Sequence, residues 1–318
     1  PVARFAPSPA TRVYGLVERT YHPTLTAETH NFPTGIAPFP GAATGIGGRL
    51  RDNQCIGRGG HVVAGTAGYA VGPLVLDEAA AAGEADQAAA AHAAALARHG
   101  VPAPTIPAAT LLVEASNGAS DYGNKFGEPI VCGYTRTFGW LDEAVASPSF
   151  HWEWSKPIMF TAGVGMVDDA HLRKRDPAPG MAIVRVGGPA YRIGVGGGAA
   201  SSRAADAAHA DLDRSAVQRG DPQMGNKLNR VIRACIELDE ANPIESLHDQ
   251  GAGGMANVTK EICAPVGARV DLSKVVCGDA TMDALELWTA EYQECNTMLV
   301  RPDACATVEA VCAREKLP

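Results

Sequence analysis

Hydrophobic and polar positions alternate with different periods along this chain, and the periods predict its elements. The clearest helix is predicted over residues 223–240, where Met224, Leu228, Val231, Ile232 and Cys235 recur at helical spacing and form one apolar face. A second helix is predicted over 255–262, and an amphipathic one from Leu285, Leu287 and Trp288 through to Glu294. Short apolar runs predict strands at 111–114, 129–134, 156–160 continuing through 163–166, 180–188, 244–247 and 297–300. The small-residue run 62–69 can be buried on both faces and reads as a strand or a closely packed helix. Residues 1–26 are broken by prolines, show little period, and read as a lead-in to a strand before Glu28. Residues 77–100 are nearly all alanine, the best helix former, and read as a helix or a low-complexity insertion.

Length and composition narrow the class. A chain of 318 residues favours two domains, and the charged, proline-flanked stretch 168–179 is the best boundary. With 35 glycines and 22 prolines, strands and loops are favoured over a helical bundle. The net charge of −8 argues against a general nucleic-acid surface. No apolar run is long enough to span a membrane, and no leader resembles a secretion signal. The eight cysteines are scattered without a Cys-x-x-Cys pair, which fits free thiols in a reducing compartment such as the cytoplasm. Because residue 1 is a proline, the chain is expected to be a piece of a longer one.

The candidate chemistry concentrates in one stretch. Glu28, Thr29, His30 and Asn31 set a carboxylate, an imidazole and an amide side by side, and in an extended segment Glu28 and His30 share a face. The run Gly41, Ala42, Ala43, Thr44, Gly45, Ile46, Gly47, Gly48, Arg49, Leu50, Arg51 and Asp52 follows. It is too rich in glycine for an ordinary helix or strand and reads as a loop whose backbone N–H groups cradle an anion such as phosphate. Carboxylates beside a phosphate cradle suggest Mg2+, which shares oxygen ligands with a nucleotide. Arg58 reads either as a phosphate contact or as a surface arginine on a turn. Residues 117–127 read as a second polar, glycine-rich loop, with Lys125 as a point charge for phosphate. Gly196, Gly197 and Gly198 with Ser201 offer another candidate phosphate cradle, where a helix start would aim its N–H groups outward. Asp249, at the end of a strand and before a glycine turn, suits a metal, a substrate hydroxyl or an N-cap.

The combination resembles the phosphoribosylformylglycinamidine synthases, on Glu-Thr-His-Asn-Phe-Pro at 28–33, Gly-Ala-Ala-Thr-Gly-Ile-Gly-Gly at 41–48 closing on Arg51-Asp52, and Gly-Asn-Lys-Phe-Gly-Glu-Pro at 123–129. The stretches 186–198, 217–222 and 248–254 resemble the same family. Phe32 matches the large, single-chain form. The resemblance implies an α+β or α/β synthetase-like unit. Residues 1–170 would form an N-terminal domain of β-sheet plus helices, whose sheet pairs into a barrel with a like domain. Residues 176–318 would form a C-terminal α/β domain. It implies an ATP-dependent ligase that converts formylglycinamide ribonucleotide, with ammonia from glutamine, into formylglycinamidine ribonucleotide, ADP and phosphate. By motif, Glu28, Asp52 and Asp249 would be magnesium ligands and His30 the proton acceptor. Thr29, His30, Asn31, Arg51 and Gln218 would contact substrate. Residues 41–52 with Lys125, Phe126 and Gly127 would line the ATP site.

The partners implied are the remaining domains of a full-length enzyme and, for this unit alone, a homodimer. A glutaminase domain, a Trp-Ser-Glu-His-Cys segment and a second copy of the unit are missing from the sequence, so this piece is expected to bind without necessarily turning over. Other ligases of the same architecture, and a non-catalytic module holding ADP, are the competing readings.

Overall fold

The structure is a computed structural model that describes residues 1–8, 10–74, 90, 94, 97, 106–142, 150–202 and 210–318. The alanine-rich stretch 77–100 lies outside these residues apart from 90, 94 and 97, which have helical backbone. Residues 203–209 lie outside them as well.

The chain begins with a hairpin, β1 (Val2–Pro7) and β2 (Tyr14–Arg19), where a featureless lead-in was expected. Both strands are largely solvated on both faces, so the hairpin carries no hydrophobic alternation for a sequence reading to find. The rings of Phe5 and Tyr14 meet across it, 5.3 Å apart. Strand β3 (Tyr21–Thr29) then leads to two helices, α1 (Asn31–Ile36) and α2 (Pro38–Gln54), and to β4 (His61–Val71). After α3 (Ala108–Phe126) come β5 (Ile130–Thr137), the pair β6 (Gly139–Asp142) and β7 (Phe150–Glu153), and β8 (Ile158–Asp168). The first sheet has the order β3-β8-β4-β5. Its pairs are antiparallel except β4–β5, which run parallel with α3 in the crossover.

Helix α2 overturns the expected phosphate loop. Its amides bond back along the helix, as in Gly41 N–H to Ala37 carbonyl at 2.8 Å, so they cannot cradle an anion. Glycine serves close packing here. A Cβ on Gly47 would sit 2.6 Å from the Tyr122 ring, on the neighbouring helix α3. Helix α3 overturns two further expectations, the strand at 111–114 and the loop at 117–127. Leu111, Ala115, Ala119, Tyr122 and Phe126 form its buried face, and Gly118 lets it touch the Phe39 backbone. The two helices and the inner face of the first sheet enclose one core, including Ile46, Leu50, Tyr69, Tyr122 and Met159.

Past β8, strand β9 (Ala182–Gly187) opens the second sheet. Helices α4 (Gly197–Ser201), α5 (Ala210–Ala216) and α6 (Pro222–Ile236) follow. Then come β10 (Ile244–Asp249), α7 (Gly254–Cys263), α8 (Ala284–Thr289), β11 (Cys295–Val300) and α9 (Cys305–Glu315). The order is β10-β11-β9, all antiparallel. The expected helix over 223–240 is present as α6. The Asp221 carboxylate caps it, accepting from the N–H groups of Gln223 and Met224. Its apolar face packs on Leu247, Met298 and Val300. The expected helix over 285–294 stops at Thr289, where the backbone turns extended at Ala290, and Glu291–Glu294 run on buried beside the first sheet's helices. Among the described residues, no helix is long and apolar enough to cross a membrane.

Candidate functional site

The two sheets meet along α2. Arg51 donates to the Gln293 amide oxygen at 2.7 Å and to Glu294 at 3.5 Å, and Tyr122 donates to the same Glu294 oxygen at 2.8 Å. Arg58 is buried and donates to the carbonyls of Ile244 at 2.6 Å and Asn242 at 2.9 Å. It is therefore neither a phosphate contact nor a surface residue.

His30 sits at this seam, between the end of β3 and the start of α1. Its Nδ1 lies 2.7 Å from the Gly41 carbonyl oxygen, and its Nε2 lies 3.2 Å from the side-chain amide of Gln218. A carbonyl can only accept, so Nδ1 carries a proton. Burial pushes the His30 pKa down, and the nearby Arg51 charge adds to that, which keeps the ring neutral. Its own carbonyl accepts from the Thr34 hydroxyl at 2.6 Å, which fixes the backbone. Gln218 is held in turn, because Thr44 donates its hydroxyl to the Gln218 carbonyl at 3.2 Å.

Two carboxylates lie at the same seam, near enough for the charge of one to act on the other. Asp52 is on the last turn of α2, and Asp249 ends β10. Burial raises the Asp52 pKa to about 6, with the Asp249 charge pushing the same way. Burial also works against the Asp249 charge, but the hydrogen bond from His248 and the charge of Arg51 outweigh it and hold Asp249 below the usual carboxylate range. His248 bridges Asp249 at 3.4 Å and Glu261 at 2.9 Å. Glu28 is exposed on β3, and its charge also raises the Asp52 pKa. Among the described residues, no group of three or more His, Cys, Asp or Glu side chains is arranged to hold a metal. The pair Asp52 and Asp249 is nevertheless a fitting donor set for Mg2+, which takes one or two carboxylates and completes its shell with phosphate oxygens and water.

Other expected residues have different tasks here. Arg49 is fully buried in an ion pair with Glu128, so it faces the core and not an ATP site. Ala42, Ala43, Ile46 and Leu50 are core residues. Phe126 is core as well, Gly127 is the left-handed cap of α3, and Lys125 pairs with Asp121 one turn away at 2.7 Å. Asn31 accepts from the Met159 N–H at 3.0 Å and so fastens α1 to β8. Thr29 is exposed at the end of β3. At the candidate cradle, Gly196 is left-handed and α4 is a five-residue helix. Lys156 donates to the Ser201 carbonyl at 2.9 Å and lies 5.6 Å from the Phe32 ring centre.

The sequence reading missed Glu291, Gln293 and Glu294, which the periodicity had placed on a helix face. Glu291 accepts a hydrogen bond from the Gln218 amide, and burial raises its pKa to about 7. The signal that could have found these residues was three polar side chains among four positions just ahead of the apolar strand β11.

Residues 178–318 match the family "AIR synthase related protein, C-terminal domain". Over most of its length the sequence is similar to proteins named phosphoribosylformylglycinamidine synthase. It is 52% identical over 294 residues to the "Probable phosphoribosylformylglycinamidine synthase, chloroplastic/mitochondrial" of Arabidopsis thaliana, covering 92% of this chain and 20% of that protein. The chain thus spans about a fifth of that relative's length. Among solved structures it resembles T. maritima PurL complexed with FGAR, with a TM-score of 0.67 and 22% identity, over 98% of this chain and 44% of that one. It resembles T. maritima PurL complexed with ATP with a TM-score of 0.65 and 22% identity, over 99% and 42% of the two chains. These likenesses fix the mixed α/β synthetase-like fold.

Proposed function

We propose that this chain forms part of the synthetase site of an ATP-dependent ligase that amidates formylglycinamide ribonucleotide. The observation that carries the reading is the neutral His30, held by Gly41 and Gln218 at the seam that also carries the Asp52 and Asp249 carboxylates. The names of the relatives support it. The substrate's amide oxygen attacks the γ-phosphate of ATP, giving ADP and an imidate phosphate, and ammonia then displaces inorganic phosphate. The attacking ammonia must lose a proton, and a neutral imidazole at this position can accept it. Asp52 and Asp249 would hold Mg2+, with Glu28 near enough to add its charge. The ion would neutralise charge on the transferring phosphoryl group. Thr29, Asn31 and Gln218 lie around His30 as the nearest candidates for substrate contacts, and the backbone around Gly196 and Ser201 beside Lys156 is the candidate for phosphate. Residues 1–170 and 176–318 would act as two domains closing on this seam.

Ammonia would be released from glutamine by another part of a full-length protein in the cytoplasm. A like unit would cover the outer face of the first sheet, where Leu25 and Val164 pair across neighbouring strands and both stay exposed. The deciding experiment is an ADP-release assay on the intact protein with ATP, Mg2+, formylglycinamide ribonucleotide and ammonium. His30→Ala should abolish ammonia-dependent turnover while nucleotide binding survives; undiminished turnover would overturn the assignment. Release of ADP without the ribonucleotide would favour another ligase of this architecture.

A further inference from the structure

Helix α7 carries two apolar stripes. Met255, Val258 and Ile262 form one and are buried in the core. Ala256, Thr259, Lys260 and Cys263 recur at helical spacing on another side. With Leu285 and Trp288 of α8, they line a cavity of about 740 Å³. That is the volume of a site for a drug-sized molecule, and the walls are mostly hydrocarbon, as such sites require. Trp288 is half-buried and packs on the core that holds Met255 and Tyr292, so its indole is fixed in place while it lines the cavity.

The charges around this cavity are of one sign. Lys260 is on its wall, and Arg269 is exposed between the wall residues Ala268 and Val270. Neither has a side-chain hydrogen bond or ion pair among the described residues. The acids on the same elements are committed elsewhere. Glu261 is held by His248 at 2.9 Å and by Asn257 at 3.2 Å, and Asp271 accepts from the Ser273 hydroxyl at 2.6 Å. Glu286 pairs with Arg192 at 2.8 Å, and Asp283 caps α8.

We propose that the cavity between α7 and α8 is a second ligand site, for a small molecule with an apolar, ring-bearing body and a carboxylate. The ring packs against Trp288 and Leu285, where an aromatic contact adds to the area removed from water. The carboxylate meets the Lys260 ammonium in a charge-assisted hydrogen bond, and the Arg269 charge attracts it from the rim. Hydrocarbon walls suit such a body and do not suit a nucleotide, whose polar groups would be left without partners there. None of the wall residues belongs to the seam around His30, Asp52 and Asp249, so this site does not rest on the function proposed for the seam.

The test is calorimetric titration of the intact protein with naphthaleneacetate, an aryl carboxylate of this class, beside the uncharged naphthaleneacetamide. Saturable one-site binding is expected for both, tighter for the carboxylate. Lys260→Met should weaken the carboxylate about fivefold and leave the amide unchanged. Ala256→Trp, which fills the cavity, should abolish binding of both. Leu285 is 69% exposed, so Leu285→Glu leaves the core alone and tests the site even where Ala256→Trp does not fold. It should weaken the carboxylate more than the amide. Absence of saturable binding, whether or not another segment of the intact protein fills the cavity, would overturn the proposal. So would binding that Leu285→Glu and Ala256→Trp both leave untouched, since the probe would then sit on another apolar surface. Equal losses of carboxylate and amide in Lys260→Met would overturn the assignment of the anion to Lys260.

Discussion

Arg49 and Glu128 meet in a two-pronged ion pair, 2.5 Å on each prong, with neither side chain open to solvent. It joins the middle of α2 to the turn between α3 and β5. A buried pair is costly to break from one side, since the remaining charge stays buried without a partner. Arg49→Met or Glu128→Gln should each lower stability by about 3–5 kcal/mol, and the double variant by less than the sum. Urea unfolding of the four proteins measures the coupling. A loss in nucleotide affinity with unchanged stability would restore Arg49 to the ATP site.

Adjacent glycines in α2 should respond in opposite directions. The Cβ of Gly47→Ala would sit 2.6 Å from the Tyr122 ring, while that of Gly48→Ala would meet nothing closer than 3.7 Å. Overpacking should cost the first about 1–3 kcal/mol. Higher helix propensity should stabilise the second by about 1 kcal/mol. Thermal unfolding would show the two shifts, and a destabilised Gly48→Ala would argue for a loop.

Asp52 makes the fold pH-dependent. Its pKa rises on folding to about 6, so the stability it favours is complete below about pH 4 and lost as pH rises through 6. The loss should be about 2 kcal/mol after allowance for solvent screening. Asp52→Asn should remove this slope and be the more stable protein at pH 7. Denaturant titrations from pH 4 to 8 would show parallel curves for the two proteins if Asp52 were not responsible.

A divalent cation should reverse the same penalty. Mg2+ at millimolar concentration should raise the melting temperature at pH 7, and do so less at pH 5, where Asp52 holds a proton that the ion must displace. Asp52→Asn and Asp249→Asn should each abolish the shift. Equal shifts in wild type and both variants would place the ion elsewhere.

How much was legible differs from residue to residue. The helix α6 was readable because its buried face and its cap both lie within one stretch of sequence. Its partners on the second sheet were short apolar strands of the ordinary kind. Helix α2 was misread because glycine, which loosens an isolated helix, is here the residue that lets two helices touch. That contact depends on Tyr122, 75 positions away, and leaves no local mark. The site divided the same way. His30 and Asp52 stood out by type and spacing. That Gln218 and Glu291 would reach the same place depends on two chain segments crossing the seam from the other sheet, which no spacing encodes.

The parallel pair β4–β5 has one more consequence. The return path between those strands needs only α3, which carries the chain from one end of the sheet to the other and delivers it to β5. The chain spends 36 positions between Val71 and Ala108 on that crossover, and near its two ends Leu74 and Ile106 pack against the core under the first sheet. Strand β5 therefore takes its direction from a helix that is itself anchored in the core at both ends, by Leu111 and by Phe126.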